Sequence, residues 1–130
     1  MTHLNSFLRR TLAVDALTCT AAGALMAFGA SALAPITGLP QPLLFWAGVA
    51  LFPVAVIMAL LSRRERAPAA LVWLVVLGNA GWVAGSIAVL FLTTPTLFGA
   101  AFVIAQSAAV AVLTVLEWRA VTATSGLAVA

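Results

Sequence analysis

The sequence predicts an all-α membrane protein, a bundle of four transmembrane helices that run up and down across the bilayer. Of its 130 residues, 65% are hydrophobic and only 7% are charged. A soluble domain of this size could not bury so much apolar surface. The apolar residues gather into four runs, each long enough to cross a hydrocarbon layer of about 30 Å at about 1.5 Å per residue. Residues 1–130 are therefore predicted to form a single integral membrane domain.

The first predicted helix covers residues 8–34 and follows a short basic start. A basic start, an apolar stretch and the segment Ala32-Leu33-Ala34 are also typical of a cleaved signal peptide. Three features favour a retained helix instead: the apolar stretch is too long, Asp15 interrupts it, and Pro35 would directly follow the cut.

The second predicted helix covers residues 43–61. It follows the segment 35–42, which holds three prolines and a glycine and is therefore expected to be an external loop that cannot continue a helix. Trp46 lies near one end of the helix, where a tryptophan serves as an interface anchor. Pro53 lies in the middle, where neighbouring membrane helices tolerate the lost donor and a kink is expected.

The third and fourth predicted helices cover residues 69–92 and 97–118. The third follows the most charged stretch of the chain, residues 62–66, and has Pro68 at its expected first turn. Thr94 followed by Pro95 is a helix-start signal for the fourth. All three connecting loops are short, so consecutive helices are expected to be antiparallel neighbours.

The orientation follows from the basic residues, which are all arginines. In a four-span topology they all fall on one side: Arg9, Arg10, Arg63, Arg64, Arg66 and Arg119. The positive-inside rule makes that side cytoplasmic, so both termini are predicted to be cytoplasmic. The tail after Arg119 is too short and too polar for a fifth span and is expected to fray. No basic face exists for a nucleic-acid partner.

Asp15 is the strongest candidate for a functional residue, because an ionisable group inside a span is costly. Thr11, Thr18 and Cys19 share its face at helical spacing, so the side chain is expected to point into the bundle. One interpretation is a proton or cation site. The structural alternative is a carboxylate that reaches the cytoplasmic interface and pairs with an arginine of the central loop.

Asn79 and Gln106 form a second candidate, since both are predicted to lie near the bilayer midplane on antiparallel helices and could bond to each other. Trp82 and Ser86 follow Asn79 at i+3 and i+7, which gives the third helix one polar stripe. With Asp15, the residues Asn79, Trp82 and Gln106 are the predicted polar intramembrane site. The stripe could line a small-molecule pocket with an aromatic wall, or it could provide hydrogen bonds between helices.

Gly78, Gly81 and Gly85 form a neighbouring stripe with a G-x-x-x-G spacing, which permits close helix packing. The packing partner could be another helix of this chain or a second copy. At the end of the fourth helix, Glu117, Trp118 and Arg119 are interpreted as structural. An ion pair and a tryptophan anchor are usual at an interfacial helix end.

Several reactive groups are missing from the sequence. His3 is the only histidine and precedes the spans, which argues against an intramembrane bis-histidine haem and a His-rich metal site. Cys19 is the only cysteine, and there is no lysine for a Schiff base. No Ser-His-Asp arrangement can form in the membrane. The chain is therefore predicted not to be an enzyme and to hold neither cofactor nor metal.

The first functional hypothesis is a non-catalytic accessory or assembly subunit. It depends on the negligible extramembrane mass, the glycine-rich helix faces and the missing catalytic groups. Its partners are the lipid bilayer and either another membrane protein or a second copy of the chain. The overall pattern resembles the small four-helix inner-membrane proteins of bacteria that carry no assigned activity. The alanine-rich, arginine-only composition is typical of a high-GC bacterial genome and predicts a bacterial cytoplasmic (inner) membrane.

The second hypothesis is a small homodimeric transporter. In size, and in the acid that its first helix holds at Asp15, the chain is similar to the small multidrug-resistance transporters. In that family a glutamate of the first helix binds drug and protons, and two copies pair to form the transporter. The resemblance implies an acidic site at Asp15, which here lies nearer the cytoplasmic surface.

Overall fold

The chain is all-α, as the sequence predicts; the structure is a computed structural model that describes residues 2–124. Its described helices are α1 (Ser6–Phe28), α2 (Ala30–Thr37), α3 (Gln41–Ser62), α4 (Ala69–Leu92) and α5 (Leu97–Thr124). Two short strands, β1 (Thr2–His3) and β2 (Arg66–Ala67), pair antiparallel. Helices α1, α3, α4 and α5 are long and apolar enough to cross a membrane. By these lengths and compositions the chain is a multi-pass membrane protein.

The helix predicted over residues 8–34 is divided at Gly29 into α1 and α2. At its start the Asn5 side chain accepts a hydrogen bond from the Leu8 amide at 2.7 Å, which caps α1. Pro35 was expected to lie in a loop, but it lies inside α2, which ends at Gly38 in the left-handed conformation with φ 72°. Pro35 lacks the backbone donor that an interior helix position normally uses, so contacts from outside α2 stabilise its last turn.

Those contacts come from the loop between α4 and α5. The Thr96 amide donates to the Thr37 carbonyl at 2.9 Å, and the Thr96 hydroxyl donates to the Ile36 carbonyl at 2.7 Å. Thr96 also caps α5, because its hydroxyl accepts from the Gly99 amide at 3.1 Å. The capping residue is therefore Thr96 rather than Thr94, since Pro95 lies before the helix and not in its first turn.

The helices pack as two close pairs. Helix α1 packs most extensively on α3, and α4 packs on α5. The pairs meet mainly where α1 contacts α5, whereas α3 and α4 touch only slightly although they follow one another in the chain. Among the consecutive helices, α3 and α4 thus pack on each other least. The gap between them forms a cavity, described below.

The α1–α3 contact depends on Gly23 and Gly48, where the two backbones approach each other directly. A Cβ atom on Gly48 would lie 2.6 Å from the Ala27 nitrogen and 2.8 Å from the Gly23 carbonyl oxygen. A Cβ atom on Gly23 would lie 2.9 Å from the Gly48 carbonyl oxygen. Only glycine permits such an approach, so this pair is a small-residue contact between α1 and α3.

One end of the bundle brings together the N-terminal strand, the loop between α3 and α4, and the end of α5. The Leu4 amide donates to the Glu65 carbonyl at 2.8 Å, and the Arg9 Nε donates to the Ser62 carbonyl at 3.3 Å. Arg9, Arg10, Arg63, Arg64, Arg66 and Arg119 all lie in segments at this end, which we name the arginine end. The fold thus agrees with a topology in which these segments share one side of the membrane.

Helix α5 continues past Trp118 and reaches Thr124, so the expected fraying after Arg119 does not hold for residues 120–124. Ala120 and Val121 are buried, and this burial stabilises the added turn. The rest of the predicted tail, residues 125–130, lies outside the described residues.

Candidate functional site

A buried polar cluster joins three of the spanning helices. The Asn79 side-chain nitrogen on α4 donates to Asp15 Oδ2 on α1 at 2.7 Å and to Glu117 Oε1 on α5 at 3.0 Å. The exposed fractions of Asp15 and Glu117 are both 0%, and that of Asn79 is 4%. The Cys19 thiol donates to Asp15 Oδ1 at 3.5 Å. We name Asp15, Asn79 and Glu117 the carboxyl cluster.

Helical periodicity places each member of the carboxyl cluster in the bundle. On α1, the residues Leu8, Leu12, Asp15 and Cys19 are buried at steps of three or four, which defines one inward face. On α4, the inward face includes Val72, Val75, Val76 and Asn79. On α5, Val103, Val110 and Glu117 follow at steps of seven residues and are all buried. The three polar side chains therefore meet because each continues an apolar face.

The position of Glu117 differs from the one predicted from the sequence. We expected it to lie at the interfacial end of the fourth helix beside Arg119, but it is completely buried and bonded to Asn79. Because α5 extends to Thr124, Glu117 lies about two turns inside the helix end rather than at it. The repeated spacing from Val103 and Val110 is the sequence signal that could have identified it.

Asp15 does not reach the surface as the structural alternative required. The side chains that donate hydrogen bonds to Asp15 are those of Asn79 and Cys19, and neither is an arginine. Of the residues expected on its face, Thr11 and Cys19 are buried, whereas Thr18 is exposed. Asp15 lies about 13 Å along α1 from its first residue.

A second polar group lies one turn further along α4. The Trp82 indole nitrogen donates to Gln106 Oε1 at 2.7 Å, and Gln106 Nε2 donates to Ser86 Oγ at 3.0 Å. We name Trp82, Ser86 and Gln106 the amide group. The sequence left open a hydrogen bond between Asn79 and Gln106. In the structure Asn79 bonds to the carboxyl cluster, and Gln106 bonds within the amide group. The predicted polar site is thus two adjacent sites.

The amide group lines a cavity of about 360 Å³ in the gap between α3 and α4. The walls of the cavity come from α1, α3, α4 and α5, with Leu39 from the segment before α3. Besides the amide group, the residues that line the cavity include Met26, Leu43, Leu44, Ala47, Val89, Phe102 and Val103. The volume lies at the lower end of the range in which small-molecule sites are found.

The glycine stripe of α4 forms one wall of this cavity and does not pack on another helix. A Cβ atom on Gly78, Gly81 or Gly85 would meet no described atom within 4 Å, and all three glycines are exposed. Of the two packing partners that the sequence leaves open, a helix of this chain is therefore not found against these glycines among the described residues, and a second copy stays a prediction. A close contact between helices is made instead by Gly23 and Gly48, whose spacing gives no motif within a single helix.

The carboxyl cluster has the chemistry of a proton-binding site. Two carboxyl groups share one amide, and Glu117 Oε2 is buried with no hydrogen-bond partner among the described residues. Asp15 and Glu117 each accept a hydrogen bond from the same Asn79 nitrogen, so the two carboxyl groups lie on either side of one amide. No group of three His, Cys, Asp or Glu side chains suited to a metal occurs within the described part of the chain.

Comparisons of the chain with protein-family models, with curated proteins and with solved structures find no match. The likeness to small four-helix membrane proteins therefore extends to the architecture, which is four helices of spanning length, and to no particular family.

Proposed function

We propose that the chain is a small proton-linked membrane transport protein in which Asp15 and Glu117 form the proton-binding site. The observation that supports this function is the carboxyl cluster: two fully buried acids from different spans that meet at a single amide. Acids inside membrane spans are costly, and in membrane proteins they mark proton and ion pathways. A fold that needed only adhesion between helices would be served by the neutral Asn79 and an amide partner.

The position of the cluster also supports transport. Asn79 and Trp82 are one turn apart on α4, so the carboxyl cluster and the cavity are adjacent. A change in the protonation of Asp15 or Glu117 would alter the hydrogen bonds of Asn79 and so act on the helix that forms a cavity wall. Such an arrangement can link proton binding to the shape of a nearby solute site.

The orientation and location that we propose are those predicted by the arginines. The arginine end faces the cytoplasm of a bacterial cell, with both termini on that side of the inner membrane. The carboxyl cluster is then nearer the cytoplasmic surface, and the cavity extends toward the opposite side. The route from the cytoplasm to Asp15 and Glu117 would then be shorter than the route from the cytoplasm to the cavity.

Replacing Asp15 by asparagine is expected to stop proton movement. Asparagine keeps the size of the side chain but cannot release a proton, so the cluster loses its exchange chemistry. The measurement is proton uptake into liposomes that contain the chain and a trapped pH-sensitive dye, under an imposed membrane potential. We expect Asp15→Asn and Glu117→Gln to lower the rate to that of protein-free liposomes.

The matched control is Glu65→Gln, which makes the same acid-to-amide change at an exposed position of the loop between α3 and α4. It should leave proton uptake unchanged. Equal rates for the unaltered chain and Asp15→Asn, in samples with the same amount of folded protein, would contradict the transport function.

The second candidate is a non-catalytic accessory or assembly subunit, and the open glycine face of α4 favours it. Gly78, Gly81 and Gly85 leave space in which a helix of another protein or of a second copy could lie. Under this function Asp15→Asn would change the abundance or assembly of a complex and leave proton movement as it was. The liposome experiment therefore distinguishes the two candidates.

A further inference from the structure

The cavity between α3 and α4 exists because side chains are missing from one of its walls. Gly78, Gly81 and Gly85 line it, and a Cβ atom on any of them would meet nothing within 4 Å. The space is thus maintained by residue choice on α4. These glycines are exposed, and α3 touches α4 only slightly, so the cavity opens sideways between the two helices. In a membrane that opening faces lipid, which admits lipophilic molecules.

The lining carries no charge. Its side chains are aliphatic, aromatic, amide or hydroxyl, with no acid or arginine among those that the structure gives for the wall. An ion that entered would lose its hydration without a counter-charge, which is strongly unfavourable. The lining therefore favours an uncharged, mostly apolar occupant, with Trp82 and Phe102 as aromatic surfaces.

The amide group determines the polar part of the occupant. The Trp82 indole N–H is used by Gln106 Oε1, and the Ser86 hydroxyl hydrogen is used by the Trp82 carbonyl at 2.8 Å. Both hydrogens of Gln106 Nε2 are used, by Ser86 Oγ at 3.0 Å and by the Val103 carbonyl at 3.2 Å. The indole donor also fixes which end of the Gln106 amide faces Trp82. Every donor of the group is therefore occupied.

The remaining capacity of the amide group consists of acceptors. Gln106 Oε1 and Ser86 Oγ each have a further lone pair, and both side chains line the cavity. A molecule that only accepts hydrogen bonds would find no free donor on this group, whereas a molecule that donates one would find two acceptors. The group thus selects for a hydroxyl or an N–H.

We propose that this cavity binds an uncharged lipophilic molecule that donates one hydrogen bond to Gln106 Oε1 or Ser86 Oγ. One further statement, that this ligand is the transported solute, rests on the proposed transport function. Binding itself requires the cavity and the amide group, and it does not require proton exchange at Asp15.

The test compares two probes that differ in one hydrogen-bond donor, 4-bromobenzyl alcohol and its methyl ether. Trp46, Trp73 and Trp118 are replaced by phenylalanine, which leaves Trp82 as the only tryptophan of the chain. Bromine quenches indole fluorescence on contact, so titration in lipid nanodiscs reports binding beside Trp82. We expect saturable quenching by the alcohol and binding of the ether that is weaker by about threefold to tenfold, the value of one hydrogen bond.

Two variants of α4 form a matched pair for this titration. Gly81→Leu places a side chain in the cavity from a position where the added Cβ atom meets nothing within 4 Å, so it should remove the saturable quenching while the chain stays folded. Ala84→Leu adds the same side chain at an exposed position that does not line the cavity, and it should leave binding unchanged. If the tryptophan replacements prevent folding, the same probes are added to the unaltered chain, where binding of the alcohol should raise Tm more than the ether does.

Three results would overturn the proposal. Equal, non-saturable quenching by the alcohol and the ether would indicate that a lipid chain fills the gap. Native mass spectrometry that shows a dimer lost in Gly81→Leu, with no saturable binding of either probe, would assign the gap to a second copy. Retained binding in Gly81→Leu would place the probe elsewhere. Saturable binding of the alcohol together with unchanged proton uptake in Asp15→Asn would instead uphold this site and contradict the transport function.

Discussion

Replacing Gly48 by alanine is expected to destabilise the fold by about 1 to 3 kcal/mol, the usual cost of forcing extra volume into a packed interior. The added methyl group would lie 2.6 Å from the Ala27 nitrogen and 2.8 Å from the Gly23 carbonyl oxygen. These are backbone atoms and cannot rotate away, so α1 and α3 must separate. Leucine at the same position should have a larger effect. The measurement is the free energy of unfolding in mixed micelles, followed by circular dichroism.

Gly81→Ala is the control for this prediction. It makes the same change in another spanning helix, at a position where a Cβ atom meets nothing within 4 Å. Alanine has the higher helix propensity, so this variant should be as stable as the unaltered chain or slightly more stable. Similar losses in Gly48→Ala and Gly81→Ala would contradict the close approach of α1 and α3.

The second large effect is expected from Asn79→Leu, which has a similar size but no polar atoms. It removes the two hydrogen bonds that Asn79 gives to Asp15 and Glu117, and it leaves both carboxyl groups buried beside an apolar side chain. Each buried polar group that loses its partner costs about 1 to 3 kcal/mol. We expect a loss near the upper part of this range, measured by the same unfolding experiment.

A double-mutant cycle tests whether this loss comes from the carboxyl groups. In chains that already carry Asp15→Asn and Glu117→Gln, the two amides can bond to each other, so Asn79→Leu should cost much less. Ala80→Leu, at an exposed position next to Asn79, serves as the control and should have little effect. An Asn79→Leu loss of the same size in both backgrounds would show that Asn79 stabilises the bundle without acting on the acids.

The all-α class and the four spans could be predicted because they depend on the length and composition of apolar runs, which the sequence displays directly. The division at Gly29 could not, because the apolar run continues through it without a change in composition. The helical position of Pro35 could not either, because the end of α2 is held by hydrogen bonds from Thr96, about 60 residues away. The slight contact of α3 with α4 was missed for a related reason. A short loop brings two helices near one another but does not make their faces complementary.

The candidate site was predictable in part. Asp15 and Asn79 stand out because they are polar residues in the middle of apolar runs. Glu117 was missed because its neighbours Trp118 and Arg119 are typical of an interface, and only the added turn of α5 moves it inside. The partners of Asn79 and Gln106 depend on the relative rotation of α1, α4 and α5 about their axes. Helical periodicity in one chain does not determine that rotation.

The two glycine groups have different roles for a physical reason. A G-x-x-x-G spacing shows that one helix has a small-residue face, but close packing requires a second face opposite it. Gly23 and Gly48 provide that match from two helices, although neither lies in such a motif. On α4 the same kind of face is left open, and it lines a cavity instead.

Infrared spectroscopy of the chain in lipid tests the shared proton most directly. The chain has three acidic side chains, and Glu65 is exposed, so a protonated carboxyl at neutral pH can be assigned to Asp15 or Glu117 with few alternatives. The carboxyl cluster predicts a carbonyl band of a protonated acid at neutral pH. The band should shift in deuterium oxide, change in both Asp15→Asn and Glu117→Gln, and persist in Glu65→Gln. A spectrum with only ionised carboxylates at neutral pH would contradict a proton held between Asp15 and Glu117.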